Sequence, residues 1–112
     1  MTNSDQIDWS ELGNGDLERL YFSRVDGAVS SDLEGETVIL SLDSGIYFGL
    51  DGVGSEIWHL LDARRTVNTI VGQLRREFRV TEERCQEDVL SFLRELERKK
   101  LIKVDGTAIE SR

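Results

Sequence analysis

The run Leu42-Asp-Ser-Gly-Ile-Tyr-Phe-Gly-Leu-Asp51 constrains the fold more than any other stretch, because it spells a hairpin turn, a short apolar strand and a helix N-cap without interruption. Asp43-Ser44-Gly45 has the chemistry of a tight connection, with Gly45 suited to positive φ. Ile46, Phe48 and Leu50 then alternate with Tyr47 and Gly49, so one face of this strand belongs to a core and the other is left over. Upstream, Glu34-Gly35 turns the chain into a clear strand over 37–42, in which Val38, Leu40 and Leu42 alternate with Thr37, Ile39 and Ser41. A first, poorly defined strand is expected near 28–33, after an irregular approach broken by Asp26-Gly27.

Three helices follow. Asp51 is placed to cap one whose apolar positions Val53, Ile57, Trp58 and Leu61 recur at helical spacing, with Trp58 in the core. Thr66 caps a second with Val67, Ile70, Val71, Leu74 and Phe78 on one stripe. Thr81 opens a third and longer one, with Glu82 and Glu83 in its first turn and Arg98, Lys99 and Lys100 in its last, so both ends complement the helix dipole. Strands first and helices after them make one α+β domain. We expect a polar N-terminal arm over 1–20, weakly anchored by Ile7, Trp9 and Leu12, the domain over 21–105 and a tail over 106–112.

Composition excludes several classes of function. A chain of 112 residues with 38% hydrophobic residues builds one modest core. A net charge of −8 repels phosphate backbones and anionic lipid, so neither nucleic acid nor membrane is an expected partner. Without a signal-like N-terminus or a long apolar run, the chain is expected in the cytoplasm, where its lone Cys85 stays a small buried thiol. No catalytic constellation emerges. His59 is the only histidine and is expected to be half exposed, and a dyad with Cys85 would still need an orienting group and an oxyanion hole. The acids Glu82, Glu83, Glu87 and Asp88 read as helix-start charge and not as a cation loop, so no metal and no cofactor are expected. Asp51-Gly-Val-Gly54 lacks the lysine of a phosphate loop and reads as a cap.

The third helix carries the main clue to function. At helical spacing Cys85, Val89, Leu90, Phe92, Leu93 and Leu96 spread over an arc of roughly 160°, against the ~100° that one packing face needs. The surplus flank either packs on the N-terminal arm or lines a cleft between this helix and the third strand. Such a cleft would accept an extended peptide that adds to the strand edge and sets alternate side chains against the apolar wall.

In Val38-Ile-Leu-Ser-Leu42, Tyr47-Phe-Gly-Leu-Asp51, Gly54-Ser-Glu-Ile-Trp58, Arg65-Thr-Val67, Asp88-Val-Leu-Ser-Phe-Leu-Arg-Glu-Leu96 and Leu101-Ile102, the chain resembles the PqqD-like proteins, peptide chaperones for ribosomally made and later modified peptides. The resemblance implies a winged-helix-like fold of three strands and three helices. It also implies a non-catalytic role, in which the leader of a precursor peptide lies as an added strand on the third strand, against the third helix, and is presented to a separate enzyme. That partner would be a radical-SAM protein, as in pyrroloquinoline quinone synthesis, or a leader protease, as in lasso-peptide maturation. The peptide-binding positions so implied are Ile46, Tyr47, Phe48 and Gly49 on the strand and Cys85, Asp88, Val89, Phe92 and Leu93 on the helix. The acidic balance would then steer a basic or neutral leader. The chain departs from the family pattern at Asp51, where Asn is frequent, and at Ala63 and Lys100, where Gly is common. Two other functions compete: a winged-helix DNA-binding regulator, disfavoured by the acid, and an adaptor that buries the strand edge in a homodimer.

Overall fold

The computed structural model describes residues 15–106. A helical turn, α1 (Asp16–Arg19), leads into strand β1 (Leu20–Arg24), and β2 (Ala28–Leu33), β3 (Glu36–Ser41) and β4 (Tyr47–Leu50) form an antiparallel meander in the order β2-β3-β4. Helices α2 (Gly52–Leu60), α3 (Val67–Glu77) and α4 (Glu82–Arg98) follow, and β5 (Ile102–Gly106) returns to pair antiparallel with β1. The α+β class and the three long helices agree with the sequence reading. The two-stranded β1–β5 sheet does not appear in it, and part of it falls where a terminal arm and tail are expected. Its reason is tertiary: Phe22 is fully buried, its backbone exchanges hydrogen bonds with Arg65 in the α2–α3 connector, and Val104 opposite it is buried as well. Short segments of that kind have too little periodicity to announce a strand. Residues 1–14, with Ile7, Trp9 and Leu12, lie outside the described residues.

The turns and two of the caps form as their residues dictate. Glu34 and Gly35 both take positive φ (52° and 87°), the geometry of a type I′ hairpin turn, and Gly45 has φ 74°. Thr66 and Thr81 accept hydrogen bonds from the amides of Thr69 and Arg84, each at 3.2 Å. Asp51 is different. It occupies the N-cap position of α2, but its carboxylate makes no capping bond; Gly52 turns with φ 56° and the Asp51 carbonyl accepts the first helical amide, from Ser55, at 3.4 Å.

The inward face of β3 is the less apolar of its two. Thr37 and Ile39 are fully buried, whereas Val38 and Leu40 are half-buried and Leu42 has left the strand and is exposed. Hydrophobicity alone favours the set Val38, Leu40 and Leu42, because it cannot see that the Thr37 hydroxyl will meet Ser55 of α2 and Asp32 of β2, which satisfy it inside. Ile39 pairs with Phe48 and Thr37 with Leu50, so Phe48 and Leu50 also face inward. Beneath this sheet, α2 contributes Ile57 and the fully buried Trp58, whose indole N–H donates to Ser30 at 3.0 Å. Arg24 spans back from β1, donating two hydrogen bonds to the Trp58 carbonyl at 3.1 and 2.7 Å with its guanidinium 4.6 Å from the ring centroid. Ile70, Val71 and Leu74 of α3 and Val89, Leu93 and Leu96 of α4 complete the core.

The C-terminus of α4 ends in a Schellman motif. The amide of Leu101 donates to Leu96 and that of Lys100 to Glu97, with Lys100 at φ 62°. The left-handed position, which favours glycine, is held in this chain by lysine.

Candidate functional site

The middle strand β3 leaves β4 as one edge of the sheet. Ser41 donates its amide to the Ile46 carbonyl at 3.0 Å, which sets the phase of the ladder. Hydrogen-bonded and non-bonded pairs alternate in an antiparallel ladder, so the Ile39–Phe48 and Thr37–Leu50 pairs bond across to β3 while Leu40–Tyr47 and Val38–Gly49 do not. The N–H and C=O groups of Tyr47 and Gly49 therefore point away from β3, to the open edge. The two residues left over by the apolar alternation are the two whose backbone has no strand partner among the described residues.

Side chains from helix α4 and its C-cap reach the residues of this strand. Lys99 Nζ sits 5.7 Å from the centroid of the Phe48 ring, and the Phe92 ring lies so close to α2 that a Cβ added to Gly54 would stand 3.2 Å from its Cε1. Leu50 packs at the same place, its Cδ2 3.9 Å from that position. Separately, a cup lined by Val53, Leu74, Phe78, Val80, Cys85, Asp88 and Val89 opens between α2, α3 and α4, with a volume of about 100 Å³. Gly54, on which the seat of Phe92 depends, is a site residue that sequence reading assigned only to a cap; its close approach to a ring on another helix leaves no local signal.

The nine candidate positions separate on burial. On the strand, Ile46 and Tyr47 are strongly exposed, Gly49 is exposed and Phe48 is half-buried. On α4, Val89 and Leu93 are fully buried and Cys85 nearly so, which places them in the core and not on an open wall; only the sides of Cys85 and Val89 reach the cup. Phe92 is half-buried and Asp88 exposed. The broad apolar arc of α4 is thus a buried centre flanked by two half-buried residues, Phe92 toward the cleft and Leu90 on the far side, where Glu87, Ser91 and Arg94 surround it. Burial also raises the pKa of the Cys85 thiol, with the Asp88 charge adding to the rise, so it is a protonated thiol at neutral pH and no ready nucleophile.

The other candidate groups are engaged elsewhere. His59 Nε2 lies 3.0 and 3.1 Å from the two carboxylate oxygens of Asp32, and hydrogen bonds from Thr37 and then His59 hold the Asp32 carboxyl below its ordinary pKa. Asp88 and Glu82 face Arg84 and Arg75 at 3.6 and 3.8 Å. Among the described residues no group of three or more His, Cys, Asp or Glu side chains is placed to hold a metal ion, and no helix is long and apolar enough to cross a membrane.

Residues 36–102 match the family model described as coenzyme PQQ synthesis protein D, PqqD. No curated protein sequence matches the chain. Among solved structures, TbiB1 in complex with the TbiA(beta) leader peptide is similar at 39% identity and a TM-score of 0.68, over 71% of this chain and 93% of that one. A lasso peptide synthetase B1 complexed with the leader peptide is similar in fold, with 17% identity and a TM-score of 0.66 over 72% of this chain and 95% of that one.

Proposed function

The chain belongs to the PqqD family, and from that membership we propose that it is a non-catalytic peptide chaperone, which binds the leader of a ribosomally made precursor by strand addition to β4 and presents it to a separate modifying enzyme. The observation that carries this reading is the outward-facing backbone of Tyr47 and Gly49 beside the Phe92 flank of α4. A strand laid there finds donors and acceptors at its own period, and every second side chain turns into the cleft. The solved complex of the 39% identical relative with a leader peptide supports the same reading.

The contact positions follow the burial. Tyr47 and Gly49 supply backbone, Phe48 and Phe92 supply apolar wall, Ile46 and Asp88 border the ends, and Cys85 and Val89 act only as the floor of the cup, with Leu93 behind it. Titration of the labelled protein with the TbiA(beta) leader peptide tests this. Amide shifts are expected on residues 46–49 and 84–96. A response confined to α2, with the cleft silent, overturns the model. A second reading, self-association, draws on the outward face of the sheet, where Val29, Leu33 and Tyr47 are 47%, 58% and 67% exposed. Light scattering with and without the leader separates the two.

A further inference from the structure

Adjoining the cup is a basin lined by Arg75, Arg79, Val80, Thr81, Arg84 and Asp88. We propose that this basin is a carboxylate-reading subsite, in which the guanidinium groups of Arg75, Arg79 and Arg84 take an acidic side chain of the bound peptide. The inference rests on the leader reading and names a chemical requirement the leader must meet.

Continuity comes first. Val80 and Asp88 line both the apolar cup and the arginine basin, so a peptide side chain seated in the cup, which Val53 near the start of α2 borders, lies next to the guanidinium groups. Charge comes second. In a protein of net charge −8, three arginines gather here against two carboxylates. The two ion pairs, Arg75–Glu82 at 3.8 Å and Arg84–Asp88 at 3.6 Å, are longer than direct charge-assisted hydrogen bonds, and Arg79 has no side-chain partner among the described residues. The donors of these groups are therefore incompletely used. Orientation comes third. Arg75 Nε donates to the Val80 carbonyl at 3.2 Å, which fixes the guanidinium on the α3–α4 connection, with Nη1 facing Glu82 at 3.8 Å and Nη2 left available. A planar fork held in that way matches a carboxylate in two hydrogen bonds, where a lysine would offer only a point charge. The local field in this basin is thus opposite in sign to the net charge, and an expectation of a basic or neutral leader drawn from net charge does not describe it.

The test uses the TbiA(beta) leader peptide with each position replaced in turn by Glu and by Gln, titrated against the full chain. Each Glu and Gln pair isolates charge at nearly constant shape. At one position, or two neighbouring ones, Glu is expected to bind about fivefold tighter than Gln, the scale of partly exposed ion pairs. In the triple variant Arg75→Gln, Arg79→Gln, Arg84→Gln that ratio should fall to about one, with the circular dichroism spectrum unchanged. Arg94→Gln, on the far flank of α4, should leave the ratio as it is. Ratios within about twofold at every position overturn the subsite and leave the leader reading standing, because the peptides still bind. A Glu preference that survives in the triple variant also overturns it, by placing the reader elsewhere. Failure of every peptide to bind overturns the leader reading, and this inference with it.

Discussion

The three-stranded sheet has two outer edges, β2 and β4, and they differ in what stands beside them. Along β2, beyond Ala28, the inward side chains are polar and already tied: Ser30 accepts from the Trp58 indole, and Asp32 accepts from Thr37 and meets His59. Along β4 the inward side chains are Phe48 and Leu50, and Phe92 and Lys99 stand beside them. An inward-pointing charge is one of the ways in which proteins blunt a strand edge against unwanted pairing. The difference teaches that an open edge becomes a docking edge only where apolar side chains and an accessible wall accompany it. Backbone alone does not select β4.

The largest expected effect tests where that wall begins. Val89→Glu puts a carboxylate into the core at a fully buried position, at a cost of several kcal/mol against the roughly 5–15 kcal/mol that holds a domain together. Urea denaturation should show an unfolded or severely weakened protein. Phe92→Glu, on the half-buried flank, should fold and lose at least about tenfold in affinity for the TbiA(beta) leader peptide, since desolvating an unpaired charge costs more than 1.4 kcal/mol. A stable Val89→Glu protein that binds normally would erase the distinction between core and cleft.

Next comes the phase of the β4 edge. Phe48→Pro removes an amide that bonds to β3 and should cost about 1–3 kcal/mol of stability. Tyr47→Pro removes an amide that faces the open side, so stability should change little while leader affinity falls. If the two prolines exchange these effects in melting and titration, the assignment of the outward-facing backbone is wrong.

A smaller effect concerns the end of α4 that carries Lys99 to Phe48. Lys100 has φ 62°, so Lys100→Gly relieves left-handed strain and should raise stability by about 1 kcal/mol, read from the denaturation midpoint. No gain would mean that the lysine side chain contributes as much as the strain removes.

The smallest sits at the β2 edge. The Asp32 carboxyl titrates below its unfolded value, so its contribution to stability is complete above pH ~4 and is lost as pH falls through the lowered folded value. Asp32→Asn should therefore lose part of the difference between melting points at pH 5 and pH 3, and should leave leader affinity at neutral pH unchanged. A fall in leader affinity would join the two edges into one site.

Much of the helical half was legible because its signals are local. Thr66 and Thr81 precede amphipathic stripes and cap them, and Gly45 takes the conformation its turn requires. The open strand of the cleft was legible too, since Tyr47 and Gly49 are what the apolar alternation leaves over. The helix side was legible as a stripe and misread as a surface: Val89 and Leu93 belong to the same arc as Phe92, and spacing cannot say which part of an arc the neighbouring helices will cover. Asp51 had the right chemistry for a cap at the right position, but the turn at Gly52 carries the chain away from its carboxylate.

By itself the amino-acid sequence determined the elements whose stabilising contacts lie within a few residues: hairpin turns, caps, helical stripes and the acidic balance. Tertiary structure alone decided that Thr37 faces inward, because its partner Ser55 is on another element, and that Gly54 must be small, because Phe92 comes from α4. It also decided that β1 and β5 pair across almost the whole chain, and that arginines from two helices and their connection gather in one basin. Those features arise from groups distant in sequence, whose free energy of interaction exists only once the chain has folded, and no local pattern records them.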